Sequence, residues 1–182
     1  MYKRQFFSQS SSVQYDETQL NPYTLSKKFA DQILMMYGME YGVQVTNMYY
    51  YSVYGPREAD YGPYSTVIRR FKQRLESNEP LEIFGNGSKK RDFTFVKDVV
   101  RNMMRMIEDE DIMSGKVIDV HFGRGKPVSI MDIAKAFDHP IIHKFDLPGE
   151  AQVTHCLTPY GDYECEAVSY THLTLPTKNE VW

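Results

Sequence analysis

Serine, tyrosine and lysine residues near the amino terminus have the spacing of a hydride-transfer site. Tyr23 and Lys27 are four residues apart, about one helical turn, so their side chains are predicted to share one helix face. A lysine ammonium beside a phenol stabilises the phenolate, which can take a proton from a hydroxyl while hydride leaves the same carbon. Ser10, Ser11 and Ser12 precede the pair, and a serine hydroxyl can hold the reacting oxygen. This set of residues indicates oxidation and reduction of a sugar or alcohol.

The helix that carries Tyr23 and Lys27 is predicted to run from residue 23 to residue 41. Asn21-Pro22 precedes it and is typical of a helix start. One apolar stripe at helical spacing is expected to pack against the core: Leu25, Phe29, Ile33 and Met36. Tyr23 and Lys27 lie on the neighbouring stripe with Ala30 and Leu34, which places them beside a cleft rather than in the deepest core.

A β-rich run over residues 43–51 predicts a buried parallel strand, and the loop of residues 54–57 follows it. In an open α/β sheet, ligands gather at the carboxyl ends of strands, so residues 50–57 are a candidate site by position. Ser65 is a candidate cap for a helix with its apolar positions at Val67, Ile68, Phe71 and Leu75. A short strand over 81–84 is predicted to end at the turn of residues 85–87.

The remaining segments continue the alternation of strands and helices, which predicts an α/β fold. Residues 92–96 lead into a helix expected to bury Val99, Val100, Met103 and Ile107, and its methionines are interpreted as core filling. A strand over 117–120 follows. Ser129 with an acid three residues later has the form of a helix N-cap.

Composition excludes several classes of function. Of the 182 residues, 42% are hydrophobic and 14% aromatic, which favours a packed core over disorder. A net charge of -3 predicts no nucleic acid and no anionic membrane as partner. Cys156 and Cys165 are too few for a disulfide framework, and neither the cysteines nor the five histidines have metal-ligand spacing, so no metal is expected. No apolar run has the length of a membrane span and no signal peptide is visible, so a cytoplasmic setting is expected.

The two ends of the sequence resemble translated adapter segments. Residues 1–5 and about 168–182 are therefore expected not to belong to the native protein and are left out of the fold prediction.

Five motifs occur in an order typical of one family. They are the serine cluster, Tyr23-x-x-x-Lys27, the loop of residues 54–57, the segment over 83–87, and Arg91-Asp92-Phe93 followed by Val96-x-Asp98-Val99. Over about residues 6–155 the sequence resembles the extended short-chain dehydrogenase/reductase family, and more narrowly its NAD-dependent nucleotide-sugar epimerase/dehydratase branch, which includes UDP-glucose 4-epimerase.

The resemblance implies the C-terminal part of a Rossmann-type doubly wound parallel sheet plus a smaller α/β substrate-binding domain. Residues 6–64 are assigned to the NAD-binding Rossmann domain, and 65–167 to the nucleotide-sugar-binding domain with returning Rossmann elements. The glycine-rich turn that holds the NAD pyrophosphate in the family is not found, and roughly 100 residues of such a fold are expected ahead of this segment. The chain as given is therefore expected to be inactive and to hold NAD weakly; stoichiometric NAD binding would overturn this.

The resemblance also implies roles for individual residues. Tyr23 is the catalytic base and acid, Lys27 also binds the nicotinamide ribose, and Ser10 aligns best with the hydroxyl that holds the reacting oxygen, with Ser11 or Ser12 as alternatives. Tyr50 and Tyr51 align near the nicotinamide, although aromatic strand packing explains them equally well. The predicted substrate contacts are Ser52, where the family usually has asparagine, Phe84 against the base, Arg91 at the diphosphate and Glu150 at the ribose. Leu147 stands where an arginine is common.

The resemblance favours an epimerase that acts at C4 of a UDP-hexose or UDP-N-acetylhexosamine through a 4-keto intermediate. A dehydratase needs an acid/base pair after the catalytic hydroxyl residue, and Ser11 and Ser12 cannot do that work. An ADP-heptose epimerase ranks lower because its second base is not evident over residues 59–62. A non-catalytic NAD(P)-sensing or scaffold member is the alternative of another class. Family members often form homodimers through the Tyr-Lys helix, and Leu34, Met35, Met36 and Met39 can supply such a surface or a monomer core.

Overall fold

A computed structural model describes residues 5–10, 21–59, 62, 65–110, 117–148 and 150–163, with the backbone alone for 5–10 and 117. Ser11, Ser12, Cys165 and most of both adapter-like ends lie outside the described residues. In chain order the described elements are β1 (Gln5–Ser10), α1 (Pro22–Tyr41), β2 (Val45–Tyr50), β3 (Val53–Tyr54), α2 (Val67–Glu76), β4 (Leu81–Phe84), β5 (Lys90–Arg91), β6 (Thr94–Phe95), α3 (Val96–Glu108), β7 (Val117–Phe122), β8 (Val128–Ser129), α4 (Ile130–Ala136) and β9 (Ile141–Lys144).

The largest sheet is parallel, with the order β1-β2-β7. Ser10 pairs with Tyr50 and Tyr50 pairs with Phe122, so the three strands end at one edge. Three two-stranded sheets accompany it: β3 with β6 and β4 with β9, both parallel, and β5 with β8, antiparallel. The predicted α/β class and parallel sheet are therefore confirmed.

Helix α1 begins where the sequence predicted, but its apolar stripe faces outward. The Asn21 side chain accepts a hydrogen bond from the Thr24 backbone N–H at 2.9 Å, and Pro22 occupies the first turn. The stripe expected in the core is exposed at 39–55%: Leu25, Phe29, Ile33 and Met36. The expectation that these residues pack into the core was wrong for the described part of the chain.

The face of α1 that meets the sheet is polar instead. Thr24 is fully buried, and one carboxylate oxygen of Asp31 accepts hydrogen bonds from the Tyr49 hydroxyl at 2.6 Å and from the Asn47 amide at 3.1 Å. Burial, followed by the hydrogen bond to Asp31, raises the pKa of Tyr49, so its hydroxyl stays protonated as a donor. Polar contacts to β2 therefore hold the helix that carries Tyr23 and Lys27.

The larger hydrophobic cluster lies between α2, α4 and the short strands. Its buried residues are Tyr54, Ile68, Phe71, Leu81, Ile83, Phe93, Phe95, Ile133, Ala134 and Phe137. The predicted apolar face of α2 packs here, with Val67 and Leu75 half-buried. The N-cap of α2 is Thr66, whose side chain accepts a hydrogen bond from the Arg69 N–H. The predicted cap, Ser65, is buried instead. The predicted Ser129 cap of α4 is confirmed by its bond from the Asp132 N–H.

Helix α3 covers the sheet with a face that matches the predicted one in part: Val99 is buried and Met103 is half-buried in the cluster, as predicted. Val99 and Met106 are buried against Met48, Val120 and Phe122. Val100 and Ile107, expected inside, are 53% and 46% exposed, and Met104 is also exposed. The buried position between Val99 and Met106 is Asn102, whose amide bonds the backbone of Asp162 as both donor and acceptor, at 2.9 and 3.3 Å. Among the described residues no helix is long and apolar enough to cross a membrane.

Candidate functional site

A cavity of about 290 Å³ lies beside α2, β4 and β5. Its lining includes all four residues predicted to contact a substrate: Ser52, Phe84, Arg91 and Glu150. These residues are up to 98 positions apart in sequence, from 52 to 150, so their convergence is a property of the fold. The volume is at the lower end of the range for small-molecule sites.

Two of these residues take their positions from backbone conformation. Ser52 follows β2 with a φ of 37°, a left-handed conformation that a non-glycine residue rarely adopts and that is often found at functional sites. Phe84 is the last residue of β4, and the strand ends because Gly85 and Gly87 turn with φ of 74° and 77°. The chain thus places a polar residue and an aromatic ring at the ends of two strands that border the cavity.

Arg91 is held in the cavity wall by three acceptors. Its guanidinium donates to the backbone carbonyls of Lys90 and Ala151, each at 2.9 Å, and to Glu150 Oε2 at 3.5 Å. Asp92, the next residue in the chain, is engaged elsewhere. It is fully buried and accepts backbone N–H groups of Arg124, Gly125 and Cys156 at 2.8–3.1 Å.

The sequence did not single out the other polar residues that line the cavity: Thr66, Arg70, Arg74, Glu82 and Lys89. A signal was present in α2, where Val67, Arg70, Phe71 and Arg74 follow helical spacing and all line the cavity. Arg74 is tied to Glu82 at 2.7 Å and Glu79 at 3.2 Å, whereas the Arg70 guanidinium has no hydrogen bond or ion pair to a described residue. Lys89 belongs to the basic run Lys89-Lys90-Arg91, yet only 7% of its side chain is exposed.

Tyr23 and Lys27 do form the predicted pair on one face of α1. The Lys27 Nζ lies 5.9 Å from the centroid of the Tyr23 ring, and Tyr23 is 51% exposed. Neither is among the described residues that line the cavity. Ser10 is the last residue of β1 and pairs with Tyr50, so its backbone lies at the carboxyl edge of the sheet.

Tyr50 and Tyr51 are both engaged in packing, and their predicted contact with a nicotinamide stays a prediction. Tyr50 stacks on Phe122 at 5.7 Å, and burial raises the pKa of its hydroxyl. Tyr51 is 1% exposed, and its hydroxyl lies 3.3 Å from Nδ1 of His121. Cys156 lies beside Tyr51. Burial raises the pKa of the Cys156 thiol to about 11, so this thiol is a poor nucleophile at neutral pH. The described residues contain no cluster with the ligands of a metal ion.

Comparison with known proteins gives one family match and several relatives. The family model described as the NAD dependent epimerase/dehydratase family matches residues 3–120. A putative UDP-glucose 4-epimerase of Methanocaldococcus jannaschii is 31% identical over 139 residues, which is 74% of this chain and 43% of that protein. A UDP-glucuronate 4-epimerase of Thermodesulfobacterium geofontis is 30% identical over 125 residues, 69% of this chain and 36% of that protein.

A solved structure shows the same fold. It is the UDP-glucose 4-epimerase of Thermotoga maritima with UDP-glucose, at a TM-score of 0.70 and 24% identity, over 87% of this chain and 54% of that chain. The chain therefore spans about half or less of the length of these proteins. This similarity agrees with the predicted Rossmann-type architecture.

Proposed function

Because the chain belongs to the NAD dependent epimerase/dehydratase family, we propose that it supplies the nucleotide-sugar site and the catalytic Tyr-Lys pair of a nucleotide-sugar epimerase. The proposed reaction inverts C4 of a UDP-hexose or UDP-N-acetylhexosamine through a 4-keto intermediate. The observation that supports this best is the convergence of Ser52, Phe84, Arg91 and Glu150 on one cavity. Within the proposal, residues 6–64 belong to the cofactor domain and residues 65–167 mainly to the substrate domain.

The cavity has the chemical groups that a nucleoside diphosphate requires. Phe84 offers an aromatic face to a base, and the planar guanidinium of Arg91 matches the oxygens of a diphosphate. Arg70 adds a second cation to the lining, and its guanidinium has no hydrogen bond or ion pair to a described residue. Glu150 supplies an acceptor for the ribose hydroxyls. In the proposed complex the sugar extends from the diphosphate toward Tyr23.

Tyr23 is the proposed base. It removes the proton of the C4 hydroxyl as hydride leaves C4. It returns the proton after the 4-keto sugar has rotated in the site to present its opposite face. Lys27, one helical turn away, stabilises the phenolate. Ser10 holds the C4 oxygen. NAD, held through its nicotinamide ribose by Lys27, would supply the acceptor for the hydride and the donor for its return to the opposite face of C4.

The exposed side of α1 is better suited to contact a bound cofactor than to pack within a closed core. Tyr23 is half-exposed beside Lys27, and Ser10 ends its strand at the same edge as Tyr50, so a nicotinamide ribose can reach both α1 side chains. Lys27 is the residue proposed to hold that ribose. Tyr50 and Tyr51 are proposed to border the ring through their strand position.

Epimerisation is favoured over dehydration because Ser11 and Ser12 stand where a dehydratase needs an acid/base pair. Residues 59–62 offer no evident second base for an ADP-heptose epimerase. We rank both reactions below C4 epimerisation.

We further propose that α1 lies at a homodimer interface in the whole protein. Its outward side is apolar and exposed, with Phe29 of the outward stripe at 55% and the nearby Met39 at 76%, and an exposed apolar patch typically marks an interface. Light scattering on the Phe29→Glu variant tests this: the variant is expected to be monomeric, and a wild-type protein that is itself monomeric contradicts the proposal.

Product analysis tests the proposed reaction. The full gene product that carries this sequence is incubated with NAD and, separately, with UDP-glucose, UDP-N-acetylglucosamine and UDP-glucuronate, and products are read by proton NMR. Inversion at C4 without net NADH is expected for at least one sugar. A 4-keto-6-deoxy product would instead identify a dehydratase, and no turnover of any of the three would contradict the proposal.

A further inference from the structure

Lys89 is a buried cation in the wall of the cavity, and it is bonded to one loop. Its ammonium lies 2.5 Å from Asp146 Oδ1, 3.2 Å from Glu150 Oε2 and 3.4 Å from the carbonyl oxygen of Leu147. Burial acts to lower the pKa of Lys89, but the hydrogen bonds to Asp146 and Glu150 outweigh it and the pKa is raised. Lys89 is therefore charged at neutral pH and connects Asp146 to Glu150.

The two carboxylate oxygens of Glu150 have different surroundings. Oε2 accepts hydrogen bonds from the Lys89 ammonium at 3.2 Å and from the Arg91 guanidinium at 3.5 Å. Oε1 has no hydrogen bond to a described residue. A carboxylate anchored through one oxygen presents the other as an acceptor in a fixed direction, and its natural partner is a hydroxyl group.

Lys89 contributes more to this anchoring than Arg91 does. The Arg91 contact with Glu150 Oε2, at 3.5 Å, is longer than the Lys89 contact, at 3.2 Å. Glu150 is 43% exposed on its side chain, so without Lys89 it has rotamers that point into solvent.

We propose that Lys89 is a positioning residue that orients Glu150 to accept hydrogen bonds from the ribose hydroxyls of the nucleotide, and that it thereby sets the preference of the cavity for a ribonucleotide. This inference rests on the proposed nucleotide-sugar function. It assigns to Lys89 a role in recognition that acts through Glu150 rather than through direct contact with the ribose.

A charge effect must be separated from the positioning effect. Lys89, Arg91, Asp146 and Glu150 carry two positive and two negative charges, so replacing Lys89 by a neutral residue leaves a net negative charge beside the proposed diphosphate. Lys89→Gln is therefore expected to weaken the binding of all nucleoside diphosphates. The double variant Lys89→Gln/Asp146→Asn restores the charge balance without restoring the bond to Glu150.

The test is the ratio of dissociation constants for 2′,3′-dideoxy-UDP and UDP, measured by calorimetry on the full gene product that carries this sequence. Wild type and Lys89→Arg are expected to prefer UDP by about tenfold, because a polar group left unpaired by the analogue disfavours it. Lys89→Gln and the double variant are expected to lose most of this preference, while the double variant recovers affinity for both ligands. If Lys89→Gln is too unstable to titrate, the charge-balanced variant alone decides.

The outcomes distinguish the inference from the function on which it rests. A preference kept by Lys89→Gln, or restored in the double variant, shows that Lys89 acts only through charge and overturns the inference. A wild type that binds UDP and its dideoxy analogue equally also overturns it, while the proposed function stands. A wild type that binds neither UDP, ADP nor dTDP removes the proposed nucleotide site and the inference with it.

Discussion

The ammonium of Lys27 lies 5.9 Å from the ring centroid of Tyr23, on the side of α1 that is open to solvent. The two residues are one helical turn apart, so the helix itself fixes their relationship. Polar bonds from Asp31 to Tyr49 and Asn47 fix the helix on the sheet. The proposed base and the group that stabilises its anion are therefore held by local structure, before any substrate binds.

Tyr23→Phe is expected to lower turnover of the full gene product by about 10²–10⁴-fold, the usual contribution of a general base. Affinity for the nucleotide sugar should stay unchanged because Tyr23 does not line the cavity among the described residues. Tyr37→Phe, on the same helix and similarly exposed, is the matched control and should leave turnover intact. Unchanged turnover in Tyr23→Phe would favour the non-catalytic alternative.

Arg70→Gln is expected to affect mainly ligand binding and Arg74→Gln mainly stability, although both arginines lie on one face of α2 in the cavity. The Arg70 guanidinium has no hydrogen bond or ion pair to a described residue and is available for a diphosphate, so its loss should weaken UDP binding about tenfold and uridine binding little. Arg74 is bound to Glu82, Glu79 and the Pro80 carbonyl, so its loss should mainly lower the melting temperature. Calorimetry and thermal unfolding measure the two effects. Equal loss of UDP and uridine affinity in Arg70→Gln would contradict this assignment.

Asp92→Asn is expected to destabilise the chain by about 2 kcal/mol, because the carboxamide leaves at least one of three backbone N–H groups, of which that of Cys156 is buried, without its charged acceptor. Urea unfolding measures the change. Asp138→Asn, at an exposed left-handed position that asparagine tolerates, is the control and should stay within about 0.5 kcal/mol of wild type. Equal stability of Asp92→Asn and wild type would show that these bonds do not hold the turn after β7.

Stability is expected to fall as the pH is lowered from 7 toward 5, partly because of His121. Burial lowers the pKa of His121, so below the unfolded-state value of about 6.5 the unfolded chain binds more protons than the folded one. His121 stacks on Tyr49 at 4.7 Å, a contact that phenylalanine can keep. In His121→Phe the drop in melting temperature between pH 7 and pH 5 should be smaller than in wild type. An equal or larger drop rules out this source of acid sensitivity.

Local signals in the sequence predicted the elements well where one residue decides the geometry. Asn21-Pro22 begins α1, Ser129 caps α4, and the glycines after Phe84 end β4. The burial of helix faces was harder to predict because α1 and α3 carry apolar residues on more than one side. Neither Val100 nor Ile107 can be distinguished by periodicity from Val99 and Met106, which the tertiary contacts select.

The candidate site shows the same limit. Family motifs predicted four residues that the fold brings to one cavity, from positions 52, 84, 91 and 150. Lys89 was not predicted, because a lysine in a run of basic residues normally lies on the surface. Its partners Asp146 and Glu150 are more than 50 residues away, so only the fold reveals that its charge is buried and paired.

Deuterium tracing tests whether the hydride leaves C4 and returns to the same carbon. The full gene product is given NAD and UDP-glucose labelled with deuterium at C4, and the product is examined by NMR. Hydride removal from C4 and return to the same carbon predicts UDP-galactose that keeps deuterium at C4 and gains no proton there from water. Loss of the label to solvent, or inversion at another carbon, would contradict C4 epimerisation through a 4-keto intermediate.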